Sequence, residues 1–118
     1  MFTLTGHGRF TDDPVLKRLD DKGTSVCEFT LAVDEFRRIN GERKKTTNFF
    51  NMVIWDKAAE LICEYKKKGD PIYVVATPRL DRWTDPETGE GRSRVIFRIN
   101  EFSFLSSARR AEEAEVAT

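Results

Sequence analysis

Aromatic rings stand beside cationic side chains at several points: Phe36-Arg37-Arg38, Phe49-Phe50, Trp55-Asp56-Lys57 and Arg79-Leu80-Asp81-Arg82-Trp83. A ring offers its π-face to any nucleobase and a neighbouring Lys or Arg neutralises phosphate, so such pairs suit an unpaired nucleotide strand. Arg43-Lys44-Lys45 adds a cationic arm between Phe36 and Phe49, and Arg94 lies in a later apolar run. The candidate contact set is Phe36, Arg37, Arg38, Arg43, Lys44, Lys45, Phe49, Trp55, Arg79, Arg82, Trp83 and Arg94. Trp83 is the sharpest of these, because a core ring seldom sits among arginines beside a Thr-Asp-Pro turn. Trp55 follows an apolar strand, where core burial competes with stacking. Phe50 alternates away from Phe49 and is expected in the core or at an interface.

Elements of strand period must position these residues. The chain has 118 residues, which suffices for one domain and one core. Residues 2–10 alternate weakly around Gly6 and Gly8, a strand with a bulge or a close backbone approach. Asp12-Asp13-Pro14 ends it, and Asp20-Asp21-Lys22-Gly23 reads as a turn. Cys27, Phe29, Leu31 and Val33 then alternate with polar residues, giving a half-buried strand. Residues 37–46 are polar and cationic and read as a long exposed loop. Residues 47–55 form the next strand, with Phe49, Val53 and Trp55 on one side and Phe50, Met52 and Ile54 on the other.

Helical period appears once. Asp56 is placed to cap it, Ala58, Leu61, Ile62 and Tyr65 share its face, and Lys66-Lys67-Lys68 suits its negative end before Gly69 stops it. The lysine run therefore receives no binding role. Residues 71–83 and 92–104 are β-rich runs joined by a hairpin loop over 84–91, and Pro78 suggests an edge or a bulge. The expected fold is all-β: a five-stranded OB-fold, a Greek-key barrel with one short helix between strands 3 and 4. The domain spans residues 1–105, and residues 106–118 read as a short disordered acidic tail.

Bulk charge is zero, yet residues 36–98 hold fourteen Lys/Arg against nine Asp/Glu, and both flanks are acidic. One basic face on a neutral protein is consistent with that distribution, as is a solvated mixed-charge surface. The only cysteines, Cys27 and Cys63, fall in apolar patterns and are expected as small buried thiols. One histidine and two distant cysteines argue against structural zinc, and no cofactor is expected. No apolar run reaches membrane length and no leader pattern opens the chain, so the expected location is cytoplasmic, beside the nucleoid, with no membrane partner.

Specific motifs then accumulate in order: Gly8-Arg9-Phe10-Thr11-Asp12-Asp13-Pro14, Phe29-Thr30-Leu31-Ala32-Val33, and Phe49-Phe50-Asn51-Met52-Val53-Ile54-Trp55. Lys57-Ala58-Ala59-Glu60, Tyr65-Lys66-Lys67-Lys68-Gly69-Asp70 and Arg82-Trp83-Thr84-Asp85 follow. Over residues 1–105 the chain resembles bacterial-type single-stranded DNA-binding proteins. That resemblance implies an OB-fold that assembles, usually as a homotetramer, and wraps single-stranded DNA. It also implies base stacking at Phe36, Phe49, Trp55 and Trp83. Phenylalanine stands at Phe36 and Phe49 where the family has tryptophan, and Trp55 stands where it has phenylalanine. The chain departs from the pattern at Ala76 and Pro78, where the family has glycine and leucine, and at Phe50, where a subunit-contacting histidine is frequent. The tail Ala111-Glu112-Glu113-Ala114-Glu115-Val116-Ala117-Thr118 lacks the family's Pro-Phe ending. Either tail-mediated recruitment of repair enzymes is absent, or the chain is a truncation or a viral or specialised relative.

Catalysis fails on inventory. No phosphate-cradling Gly-x-x-x-x-Gly-Lys-Ser/Thr loop or Ser/Cys–His constellation is present, and turn chemistry accounts for the paired aspartates. The expectation is a non-enzymatic binder of single-stranded DNA with little sequence preference, protecting unwound DNA in replication, repair or recombination. An OB-fold adaptor of primosome type, working through protein partners, and a single-stranded RNA binder are the alternatives.

Overall fold

The computed structural model describes residues 2–19 and 22–105. Strands β1 (Leu4–Phe10), β2 (Val15–Arg18), β3 (Ser25–Ile39) and β4 (Glu42–Trp55) precede helix α1 (Asp56–Tyr65), and β5 (Pro71–Thr84) and β6 (Gly91–Phe104) follow it. The sheet runs β1-β5-β6-β4-β3-β2, and a further β1–β3 pairing closes β1, β5, β6, β4 and β3 into a barrel. This is the expected five-stranded OB-type closure, with one helix among the described residues. β2, which the sequence pattern did not reveal, lies outside the closed circuit and pairs with β3 alone.

Closure depends on β1 reaching β3 at Arg9↔Ala32 and Phe10↔Leu31. Gly8 permits it: a Cβ there would lie 2.5 Å from the Ala32 carbonyl oxygen and 2.8 Å from Leu31 Cγ. The close approach expected around Gly6 and Gly8 thus falls at Gly8, while a Cβ at Gly6 would meet nothing within 4 Å. The interior holds Phe10, Cys27, Phe29, Leu31, Met52, Ile54, Ile72, Val74, Ala76 and Ile99, with Ala59 and Ile62 of α1 packed into the same cluster.

Four local readings change. Residues 37–46 are not a loop: β3 and β4 pair continuously from Val26↔Trp55 to Ile39↔Glu42. Asn40 and Gly41, at φ 53° and 80°, make a two-residue turn. Asn-Gly is the strongest short hairpin signal, and the polar composition that suggested a loop belongs to an arm wet on both faces. In α1, Asp56 does not cap; Trp55 holds the N-cap position with no side-chain cap bond. The buried stripe is Ala59 and Ile62, with Ala58 and Cys63 partly buried, whereas Leu61 and Tyr65 are exposed. The helix also ends at Tyr65, so the lysine run lies beyond it; Lys66 is buried, with Nζ 4.5 Å from the Phe104 ring centroid.

Pro78 sits on β5 beyond the stretch that β1 pairs, Pro71–Ala76, where β5 pairs β6 alone and its other edge is open. The bulge lies two residues earlier, between Val75 and Ala76. Packing of α1 on β3 brings Cys63 to Cys27, remote as they are in sequence. Both are free thiols, Cys27 buried and Cys63 half-buried. Burial, and next the hydrogen bond with the Cys63 thiol, pushes the Cys27 thiol up to about 12. The tail residues 106–118 lie outside the described residues.

Candidate nucleic-acid interface

Strand pairing sorts side chains without reference to their chemistry, because residues directly opposite share a face and alternate ones do not. The Cys27↔Ile54 and Phe29↔Met52 pairs point into the barrel. The alternate set on the β3–β4 ladder therefore points out: Glu28↔Val53, Thr30↔Asn51, Ala32↔Phe49, Asp34↔Thr47, Phe36↔Lys45 and Arg38↔Arg43, with Val26↔Trp55 at the base. On β5–β6 the inward pair Ala76↔Ile99 leaves Thr77↔Arg98, Arg79↔Ile96, Asp81↔Arg94 and Trp83↔Arg92 facing out.

Parity thus gathers Phe36, Arg38, Arg43, Lys45, Phe49, Trp55, Arg79, Trp83 and Arg94 on one face. It turns Arg37, Lys44 and Arg82 to the opposite face of their hairpins. The outward rings are open to solvent: Phe49 is 65% exposed, Phe36 53%, Trp83 45% and Trp55 36%. Phe50 takes the other face, half-buried, edge-on to Phe97 with centroids 5.6 Å apart.

Between the rings runs an apolar floor. Val26, Val53 and Ile96 form a small buried cluster separate from the barrel core. Trp55, Arg79 and Arg98 rise around Val53 and Ile96 as the walls of a groove of about 290 Å³. A second groove of about 300 Å³ continues past Asn51, Thr30 and Arg94 to Lys17 of β2. At the β5–β6 tip, Trp83 and Arg82 line a concavity with Arg92. Grooves over the Val53–Ile96 floor, walled by arginines together with Glu28 and Asp81 and flanked by upright rings, can take up stacked bases and an extended phosphate backbone together.

The charges are placed as follows. The Arg43 guanidinium lies 4.2 Å from the Phe36 ring centroid, a cation–π contact that fixes both at the arm. Arg94 Nε donates to Asp81 Oδ2 at 3.2 Å, and its Nη2 lies 3.8 Å from Glu28 Oε2. Asp34 accepts from Arg9 Nη1 and Thr47 Oγ1, both at 2.8 Å, with Lys45 Nζ at 3.7 Å. Those hydrogen bonds, Thr47 foremost and then Arg9, hold the Asp34 carboxyl below the ordinary aspartate value. Among the described residues, no carboxylate pairs with Arg38, Arg79 or Arg98.

Residue-by-residue reading passed over Arg9, Lys17, Arg92 and Arg98 of this face. Arg92, Arg94 and Arg98 keep strand period around Ile96, a signal open to inspection once residues 92–104 are read as a strand. Arg9 and Lys17 carried no comparable signal. Arg9 reaches the face only because β1 crosses to Ala32, and Lys17 because β2 pairs Lys17↔Val26.

The Single-strand binding protein family profile matches residues 1–105. A Synechocystis protein named single-stranded DNA-binding protein 1 is 36% identical over 107 residues, spanning 91% of this chain and 85% of its own. A Treponema pallidum single-stranded DNA-binding protein is 31% identical over 115 residues, spanning 94% of this chain and 64% of its own. A solved structure described as a Plasmodium falciparum SSB complex with ssDNA superposes with a TM-score of 0.79 at 25% identity. That match covers 90% of this chain and 96% of the other.

Proposed function

We propose, for a chain that belongs to the single-strand binding protein family, non-enzymatic coating of single-stranded DNA with little sequence preference. Bases stack on Phe36, Phe49, Trp55 and Trp83, while Arg38, Arg43, Lys45, Arg79 and Arg94 meet the phosphates. The observation that carries the reading is the shared parity of these exposed rings and cations on a face that the barrel core does not use. Stacking accepts any base, so low sequence preference follows from the chemistry. Protection of unwound DNA in replication, repair or recombination is the corresponding role.

Residues 1–105 carry this activity. Assembly as a homotetramer accounts for apolar surface on the side away from the rings. Leu80 and Val95 are paired and exposed there, next in the ladder to Pro78↔Phe97. Among the described residues no helix is long and apolar enough to cross a membrane, and a cytoplasmic, nucleoid-associated place fits the proposed ligand.

The test is binding of oligo-dT against a duplex of equal length across a salt series, with an RNA oligonucleotide of the same length as competitor. Preference for the single strand, falling steeply with salt, is expected. Equal affinity for the duplex refutes the reading, and stronger binding of RNA reassigns the ligand. Light scattering at defined concentration reads the assembly.

A further inference from the structure

We propose that Asp34, Asp81 and Glu28 are built-in competitors of the phosphate backbone, occupying the interface cations until a strand displaces them. The inference rests on the single-strand reading above. All three carboxylates share the ring-bearing face, through the pairs Asp34↔Thr47, Glu28↔Val53 and Asp81↔Arg94. Each holds a cation of that face: Asp34 holds Arg9 and Lys45, and Asp81 and Glu28 hold Arg94 between them. None belongs to the buried cores. A surface that served only to attract a polyanion would not place negative charge beside its rings, since like charges cost affinity. The local balance of cations and carboxylates accords with the zero net charge of the whole chain.

The exchange has a definite ion balance. When a free arginine meets a phosphate, one condensed counterion leaves the strand. When Arg94 leaves Asp81 for a phosphate, the strand again loses a counterion, but the abandoned carboxylate gathers a cation from solution. Net release at that contact approaches zero, so the contact adds little to the salt dependence. Arg9, held beside Ala32 and across from the Phe49 position, thereby joins the contact set as a cation kept in place until the backbone arrives.

The test compares wild type, Asp34→Asn, Asp81→Asn and Glu64→Gln for oligo-dT affinity between about 50 and 200 mM salt. Glu64 is exposed on α1, away from the face, and its replacement alters net charge equally. Melting temperature is measured for each variant. Asp34→Asn and Asp81→Asn are expected to bind about three- to tenfold more tightly at the low-salt end. Asp34→Asn, which frees Arg9 and Lys45, should steepen the log–log salt slope by about 0.7 per cation freed, and Asp81→Asn, which leaves Arg94 beside Glu28, should steepen it by less. Glu64→Gln should stay within about twofold of wild type. If the two face variants match Glu64→Gln in affinity and slope, or bind more weakly than wild type at a temperature where each is still folded, the competitor role is overturned and the single-strand reading stands. If wild type does not bind oligo-dT, both fall.

Discussion

Phe49→Ala is the cleanest perturbation of the interface, because Phe49 is the ring that the protein itself uses least. It is 65% exposed, pairs across from Ala32 and contributes nothing to either buried cluster, so its removal should cost under about 1 kcal/mol of stability. Its loss in binding should be that of one stacked base, about 1–3 kcal/mol, or roughly 5- to 150-fold in Kd. Trp55 lies on the same face of β4 six positions on, about 20 Å away at roughly 3.4 Å per residue. That exceeds the range over which substitutions usually couple, so Phe49 and Trp55 should serve different nucleotides and their losses should add within about 0.5 kcal/mol. The double variant with Trp55→Ala should then lose about 2–6 kcal/mol. Anisotropy of a fluorescently labelled oligo-dT, at one fixed salt concentration, reads all variants alike. Binding of Phe49→Ala within twofold of wild type, with an unchanged melting temperature, refutes stacking at this position. Strong coupling between the two sites would refute separate nucleotides.

Strand parity separates Arg38 from its neighbour Arg37: Arg38→Ala should lower the salt slope by about 0.7, whereas Arg37→Ala should leave it near wild type. Gly8→Ala places a Cβ 2.5 Å from the Ala32 carbonyl oxygen, so β1 must move from β3. Urea denaturation should show a loss of about 1–3 kcal/mol, and an unchanged midpoint would mean that the strands separate without strain. Burial raises the Cys27 thiol from 9.0 to about 12. Its neutral form is thus the stabilised one; that contribution is complete below pH 9.0 and is lost as pH rises toward about 12. Wild type should lose denaturant resistance over that window faster than Cys27→Ala, and a thiol reagent should label Cys63 first. The Asp34 carboxyl has the opposite sign, being depressed below 3.8 by Thr47 and Arg9. Its stabilisation is present above pH 3.8 and lost as pH falls through its lower folded value. Asp34→Asn should therefore melt below wild type at neutral pH, with the gap closing in acid.

The barrel strands were legible because their alternation is strong: Cys27, Phe29 and Leu31 on β3 and Met52 and Ile54 on β4 all enter the core as the pattern indicates. The β3–β4 arm was not, because beyond the barrel neither face is buried and alternation vanishes, leaving Asn40-Gly41 as its one marker. β2 escaped for the same reason, with most of its residues exposed. In α1, Leu61 and Tyr65 satisfied a helical stripe that includes Ile62, yet the helix turns its small residues Ala58 and Ala59 inward, where α1 packs closely on β3. The rings and most cations of the candidate site were legible as residue types. Their sharing of a face was not, since parity depends on a register that only pairing supplies. Arg9 and Lys17 required the crossing of β1 and the pairing of β2, and nothing local in sequence announces either.

The two sides of the β3–β4 ladder have separate physical tasks, and this separation explains how a neutral chain can present a polyanion-binding face. The inner side of β3 and β4 is apolar where the barrel closes, and it carries the fold through Cys27, Phe29, Leu31, Met52 and Ile54. The outer side places Phe49 and Trp55 two and eight residues along from Thr47 without drawing on that core. Substitution of the exposed ring Phe49 therefore moves affinity with little change in stability, and substitutions such as Gly8→Ala do the reverse. Net charge is a poor guide to such a face, because affinity depends on which cations a strand can claim. Among the described residues, Arg38, Arg79 and Arg98 have no carboxylate to leave, whereas Arg94 and Lys45 do. The same cations would bind a strand more strongly if Asp34 and Asp81 were neutral, and the salt slope is where that difference becomes measurable.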